Sequence, residues 1–154
     1  KIKKKHLNFH SRYSAKARVY KYIMFNRDSV PAINKNRVWH IKKKINLKNL
    51  KRGAKFLVGK KDFSTFRASS CSANNPIRTL EKINIVKKNN QISIEFRSRS
   101  FLQTQVRSMV GSLKYLGEGK WDLKKFKYVT LSKRRELCAP PAPPHGLFLK
   151  KVIY

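Results

Sequence analysis

The stretch TLEKINIVKKNNQISIEFR, Thr79 to Arg97, decides the fold. Thr79 to Lys87 and Gln91 to Arg97 each read as a β-strand, and Lys88, Asn89 and Asn90 between them form a tight polar turn in which asparagine tolerates positive φ. That is an antiparallel hairpin. Downstream of it, Leu102, Val106, Met109, Leu113 and Leu116 recur at spacings of four, three, four and three. One face of a helix follows, closing near Gly117 and Gly119. Asp122 can cap a shorter basic helix through Thr130, and the proline-rich loop at Pro140, Pro141, Pro143 and Pro144 leads into a last strand, Gly146 to Tyr154. Upstream, Asn46 caps a helix carrying Leu47, Leu50, Ala54, Leu57 and Val58, with Gly59 where a C-terminal glycine belongs. Arg18 to Phe25 alternates as a strand, with Val19, Ile23 and Phe25 on one side and Tyr20, Tyr22 and Met24 on the other. The order β-α-β-β-α-(α)-β predicts an α+β domain spanning residues 1–154: a split βαβ, ferredoxin-like antiparallel sheet with helices on one face. Its other face is expected to stay open, and an aromatic strand there could stack bases.

With 154 residues, 38 Lys+Arg against 7 Asp+Glu and a net charge of +31, the chain is one basic domain. A hydrophobic content of 40% excludes a disordered basic tail. Leu137 to Leu149 is the longest run free of charged residues, too short and too rich in proline to span a membrane. Abundant Lys, Asn and Ile could reflect an AT-rich genome, yet that bias should raise Glu too, and only Glu81, Glu95, Glu118 and Glu136 occur. The depletion of acids points instead to a polyanionic partner, nucleic acid ahead of acidic membranes or acidic proteins. Cys71 and Cys138 make no disulfide framework, and no histidine stands with them at zinc-ligand spacing. A cytosolic protein without metal is the expectation. Lys1 to Lys5 resembles the basic start of a signal peptide, but His6, Asn8, His10 and Arg12 interrupt any apolar segment after it. The absence of a starting Met suggests a piece of a longer chain.

Individual residues leave alternatives open. Arg107 lies beside the apolar stripe of the best helix, on a ridge with Gln103, Gly111 and Lys114, where a snorkelling surface arginine is the plain reading. Gly111 argues for a close backbone approach, because glycine inside a helix costs about 1 kcal/mol relative to alanine. Tyr20 could equally pack or stack. His10, His40 and His145 with lysines could imitate a metal-free ribonuclease, although they are scattered along the chain. A non-catalytic RNA-binding module such as a ribosomal protein would also suit the charge.

Four blocks occur in order: FHSRYSAKARVYKY at Phe9 to Tyr22, GKKDFSTFR at Gly59 to Arg67, FLQTQVRSMVGSL at Phe101 to Leu113 and APPAPPHGLFL at Ala139 to Leu149. Together they resemble the C-terminal half of the TruA-type tRNA pseudouridine synthases and span nearly the whole chain. The resemblance implies a domain that binds tRNA and isomerises uridine in the anticodon stem-loop, without cofactor or metal, in an enzyme that is typically a homodimer. By position, Tyr20 matches the tyrosine that packs against the target base, and Arg107 matches the arginine that pairs with the catalytic aspartate. His145, Gly146 and Leu147 resemble the segment lining the same cleft. Arg12, Arg18, Lys21, Arg67 and Arg99 are candidate RNA contacts near it, and Lys42 to Lys44, Lys60, Lys61 and Lys124 to Lys127 could follow the phosphate backbone. The family's aspartate lies in an R-T-D-x-G motif, which this sequence lacks; Asp28, Asp62 and Asp122 do not replace it. The expectation is therefore a domain whose N-terminal partner domain carries the nucleophile.

Overall fold

The computed structural model describes residues 4–154, so the first three residues of the Lys1–Lys5 run lie outside it. At the centre of the sheet is β1 (Ala17–Asn26), whose register with β5 (Gln91–Ser98) runs from Arg18↔Ser98 to Phe25↔Gln91. The predicted hairpin forms as β4 (Ile77–Lys88) and β5, and Asn89 at its turn takes φ +50°. Two short strands complete the sheet: β2 (Trp39–Ile41), parallel to the end of β1, and β3 (Gly59–Asp62), antiparallel to β4. The last strand, β6 (Leu147–Ile153), pairs antiparallel with Ala17–Tyr22 of β1. One edge of β1 is thus divided between β6 and β2 while the other is filled by β5. The fold is α+β, with one six-stranded sheet that is antiparallel except at β2.

Three helices cover one face. α1 (Leu47–Leu57) starts where Asn46 accepts a hydrogen bond from Asn49 N–H (3.0 Å), and Gly59 after its end takes φ +108°, a backbone glycine adopts without penalty. α3 (Leu123–Leu131) is capped by Asp122, which accepts from Lys125 N–H (2.7 Å). α2 (Gln105–Gly117) begins three residues later than the apolar stripe suggested, because Thr104 takes φ +66° and turns the chain sharply before the first helical residue. Unlike a surface helix, α2 is buried on most sides: Met109, Val110 and Leu113 are inaccessible, as are Ser108 and Ser112. The sheet's inner face meets it with Tyr22, Met24, Ile92, Ile94 and Phe96, all fully buried. Burial of this kind contributes roughly 1.5–3 kcal/mol per large side chain and holds the layers together.

This packing corrects one expectation. Tyr20, Tyr22 and Met24 lie on the face of β1 that the helices cover, so the open face carries no tyrosine platform: Tyr22 is fully buried and Tyr20 half-buried at the margin of the core. Alternation leaves Lys21, Ile23 and Phe25 on the outer face. There Glu95 pairs with Lys150 (2.6 Å) and Arg97 with Glu81 (2.7 Å). Lys21, Lys82 and Lys88 share that face, so it stays net basic, and its exposed pairs contribute little to stability.

Candidate active site and nucleic-acid interface

A cleft of about 970 Å³ opens where the start of β1, the segment after β5 and the first turn of α2 meet. Five arginines line it, Arg12, Arg18, Arg78, Arg99 and Arg107, and no carboxylate does. Such a volume suits a nucleotide-sized ligand, and a wall of one charge sign concentrates anions. The acids are engaged elsewhere. Glu81 and Glu95 pair on the outer sheet face, Glu118 with Lys114 (3.0 Å), Glu136 with Arg134 (2.6 Å) and Asp62 with Lys133 (3.8 Å). Asp122 caps α3, and Asp28 is exposed in the connection from β1 to β2.

Arg107 is held from two directions. Its Nε donates to Ala142 O (2.6 Å), and its own carbonyl accepts from Ala142 N–H (3.0 Å). The proline-rich loop thereby grips α2 at this residue. Neither terminal nitrogen of the guanidinium has a partner among the described residues, so its charge is aimed but unmatched. Gly111, one turn on, makes the grip possible, since a Cβ there would overlap Pro140 O. The loop is tied to β1 by Tyr22, whose hydroxyl donates to Pro143 O (2.7 Å). Burial pushes the Tyr22 phenol far up, only partly offset by the Arg107 charge, so it remains a donor across the physiological range. Gly146 lies under the same ring: a Cβ there would come within 2.8 Å of Tyr22 Cζ and 3.0 Å of Ile23 O.

Tyr22→Phe is expected to lower the stability of the chain by about 1 kcal/mol, the net worth of one hydrogen bond, plus whatever leaving Pro143 O unpaired adds. Urea unfolding reads this as a lower midpoint at unchanged slope; an unchanged midpoint would show that the loop is held without Tyr22.

Tyr20 stands on the cleft side of that tyrosine, with its ring edge-on to Phe101 (centroids 5.2 Å apart, 89°). A bulge between Val19 and Tyr20 in the pairing with β6 re-aims the strand at this point. Arg18 is fixed by carbonyls, donating to Arg99 O (2.5 Å) and to Arg12 O. Of the residues singled out in the sequence, the cleft gathers Arg107, Tyr20, Leu147, Arg12, Arg18 and Arg99. It does not gather the others. Lys21 faces the outer side of the sheet, His145 is exposed beyond the cleft wall, and Gly146 packs beneath Tyr22. Arg67 acts from behind, donating to Ala73 O (3.1 Å) and so supporting the Cys71–Ala73 wall. Backbone hydrogen bonds near Ala73 and Gln103 hold the Cys71 thiol below its usual range, while burial raises Cys138. The histidines do not converge: His40 bonds to Arg27 O (2.9 Å), and His10 accepts from Arg12 N–H (3.1 Å) within its own turn. A ribonuclease-like histidine pair is therefore not assembled. Arg78, Phe101 and Gln105 also line the cleft without having been singled out. Gln105 could have drawn notice two residues before Arg107 in its block; nothing local marks Arg78.

The family profile described as tRNA pseudouridine synthase matches residues 54–154. Over 153 residues the chain is 63% identical to "tRNA pseudouridine synthase A" of Pelagibacter ubique (strain HTCC1062), covering 99% of this chain and 62% of that protein. It is 44% identical over 147 residues to the protein of that name from Bartonella tribocorum (strain CIP 105476 / IBS 506), covering 96% and 60%. The corresponding figures for Acidiphilium cryptum (strain JF-5) are 41% over 143 residues, 93% and 56%. The chain thus spans about three fifths of the length of these curated relatives.

Proposed function

The chain belongs to the tRNA pseudouridine synthase family, and on that premise we propose that it is the C-terminal, tRNA-binding part of an enzyme that converts uridine to pseudouridine in the anticodon stem-loop. One observation carries the reading: Arg107, held by the proline-rich loop, lines a cleft with no carboxylate, and its terminal guanidinium nitrogens have no partner among the described residues. A cation so placed suits an acid brought from elsewhere. In this reading the target uridine leaves its stack and enters the cleft, where Tyr20 packs against the base. A carboxylate from the enzyme's N-terminal domain starts glycosidic-bond cleavage by attack or proton abstraction, and Arg107 keeps that group ionised. The uracil then turns and rejoins the ribose through carbon. Arg12, Arg18 and Arg99 hold the neighbouring phosphates. The resemblance also carries a homodimeric, cytoplasmic enzyme that needs no cofactor, and sedimentation velocity on the full-length protein checks the dimer. Among the described residues no helix is long and apolar enough to cross a membrane.

Tritium release from tRNA labelled at uridine C5 tests the proposal. Full-length protein should release tritium, whereas the 154-residue chain should bind the same tRNA and release none. Release by the chain alone would place the nucleophile within it and sink the division of labour.

A further inference from the structure

We propose that the start of α2 is an oxyanion site that grips one phosphodiester of the bound RNA through the N–H groups of Val106 and Arg107 and the side-chain amide of Gln105. The inference rests on the cleft being an RNA site and names the atoms that hold the backbone there. α2 has 13 residues, enough for its peptide dipoles to leave a partial positive charge at the first turn. Among the described residues nothing neutralises that charge. No side chain caps the helix, and its first turn holds no acidic residue. Gln105 N–H donates to Leu102 O (3.1 Å) and Ser108 N–H to Thr104 O (2.9 Å), but the N–H groups of Val106 and Arg107 have no acceptor among the described residues.

Gln105 supplies the independent observation. It lines the cleft yet is only 1% exposed, and its Oε1 accepts from Leu102 N–H (2.8 Å). That bond settles which end of the amide is oxygen, so Nε2 is the other end, buried just beneath the cleft surface and without a partner among the described residues. Buried polar groups are normally satisfied, so a donor left over at an uncapped helix end marks a place for an acceptor. Arg78, lining the same cleft, likewise has a buried Nε without a partner among the described residues. Every group offered is a donor. A base edge presents donors and acceptors together, whereas a phosphodiester presents acceptors only, which selects the backbone over the base.

The test uses the full-length protein and two probes. In the first, inorganic phosphate is titrated against ¹⁵N-labelled protein, with the Gln105 side-chain resonances assigned from Gln105→Met. They should shift with phosphate and stay put in sodium chloride of equal ionic strength; equal shifts in both would overturn the site. In the second, anticodon stem-loop RNA carries a neutral methylphosphonate at each linkage flanking the target uridine in turn. Wild type should lose about tenfold in affinity at one linkage, the scale of a charged hydrogen bond. Gln105→Met should lose a similar factor on unmodified RNA and little more on the substituted one. Unchanged affinity in Gln105→Met, or two losses that multiply, would overturn the assignment to RNA, as would a phosphate response with no sensitive linkage. Gln105→Glu keeps the size and the bond to Leu102 while putting a negative oxygen at the free end. It should bind RNA more weakly than Gln105→Met, and equal binding by the two variants at matched thermal midpoints counts against the site. If wild type forms no pseudouridine in tRNA, the proposed function falls while the phosphate titration still reads the site.

Discussion

Arg107→Ala in the full-length protein should reduce pseudouridine formation by at least a hundredfold while tRNA affinity falls by about tenfold or less. The asymmetry follows from what the residue touches. Its Nε is spent on Ala142 O, and its remaining nitrogens face a cleft without a carboxylate of its own. A charge that stabilises a reacting group in a water-poor site is worth about 3–4 kcal/mol when removed, whereas one phosphate contact among several contributes about one charged hydrogen bond. Arg107→Lys should stay impaired, because a lysine keeps the charge but cannot hold Ala142 O and present a planar fork at once. Single-turnover rates and filter binding on the same tRNA separate the two effects. Equal losses in rate and affinity would make Arg107 a binding residue and favour a module that only holds RNA.

Gly111→Ala should destabilise the chain by about 2 kcal/mol or more, although alanine is the better helix former by about 1 kcal/mol. Steric overlap decides the sign. The new methyl would run into Pro140 O, a backbone atom that no rotamer change can move, with Ala142 N close behind at 3.5 Å. Relief requires the proline-rich loop to lift from α2, which strains the two bonds between Arg107 and Ala142. Stability and activity should therefore fall together, and the activity loss should persist well below the thermal midpoint. A variant with raised stability would show that the loop sits on α2 only loosely. Gly53 makes the comparison informative: its methyl would meet only the side-chain ends of Leu116, Leu113 and Phe126, which can shift, so Gly53→Ala should cost less.

Elements with a repeating pattern and a chemical stop were legible in the sequence. Asn46 and Asp122 mark their helices by cap chemistry, and the asparagines at 89 and 90 mark the hairpin. β2 and β3 were not, since three and four residues are too few for alternation and β3 is half lysine. The apolar stripe places the start of α2 too early, because Leu102 continues the stripe while lying before the turn at Thr104. Tyr20 and Arg107, which the structure brings to one cleft, stand out in the sequence through four motif blocks rather than through local physics. Lys21 shows what adjacency conceals: it neighbours Tyr20 in the chain, but strand alternation sends it to the other face. Arg78 and Gln105 acquire meaning only from what packs around them, which no local window contains.

The division of one β1 edge between β2 and β6 has a bearing on how the domain is made. Tyr22 and Pro143 lie 121 positions apart, and β6 fills its place beside β1 from the far end of the sequence. During synthesis, β1, the hairpin and the helices emerge before the strand that closes the cleft. Contacts of such long sequence separation form late, because a large loop must close before they repay its entropy. A ribosome-stalled or truncated product ending before Leu147 would therefore present basic surface without the finished pocket. Pairing of β6 with β1 then acts as a check on the cleft, whose Leu147 wall is in place only once that strand has docked.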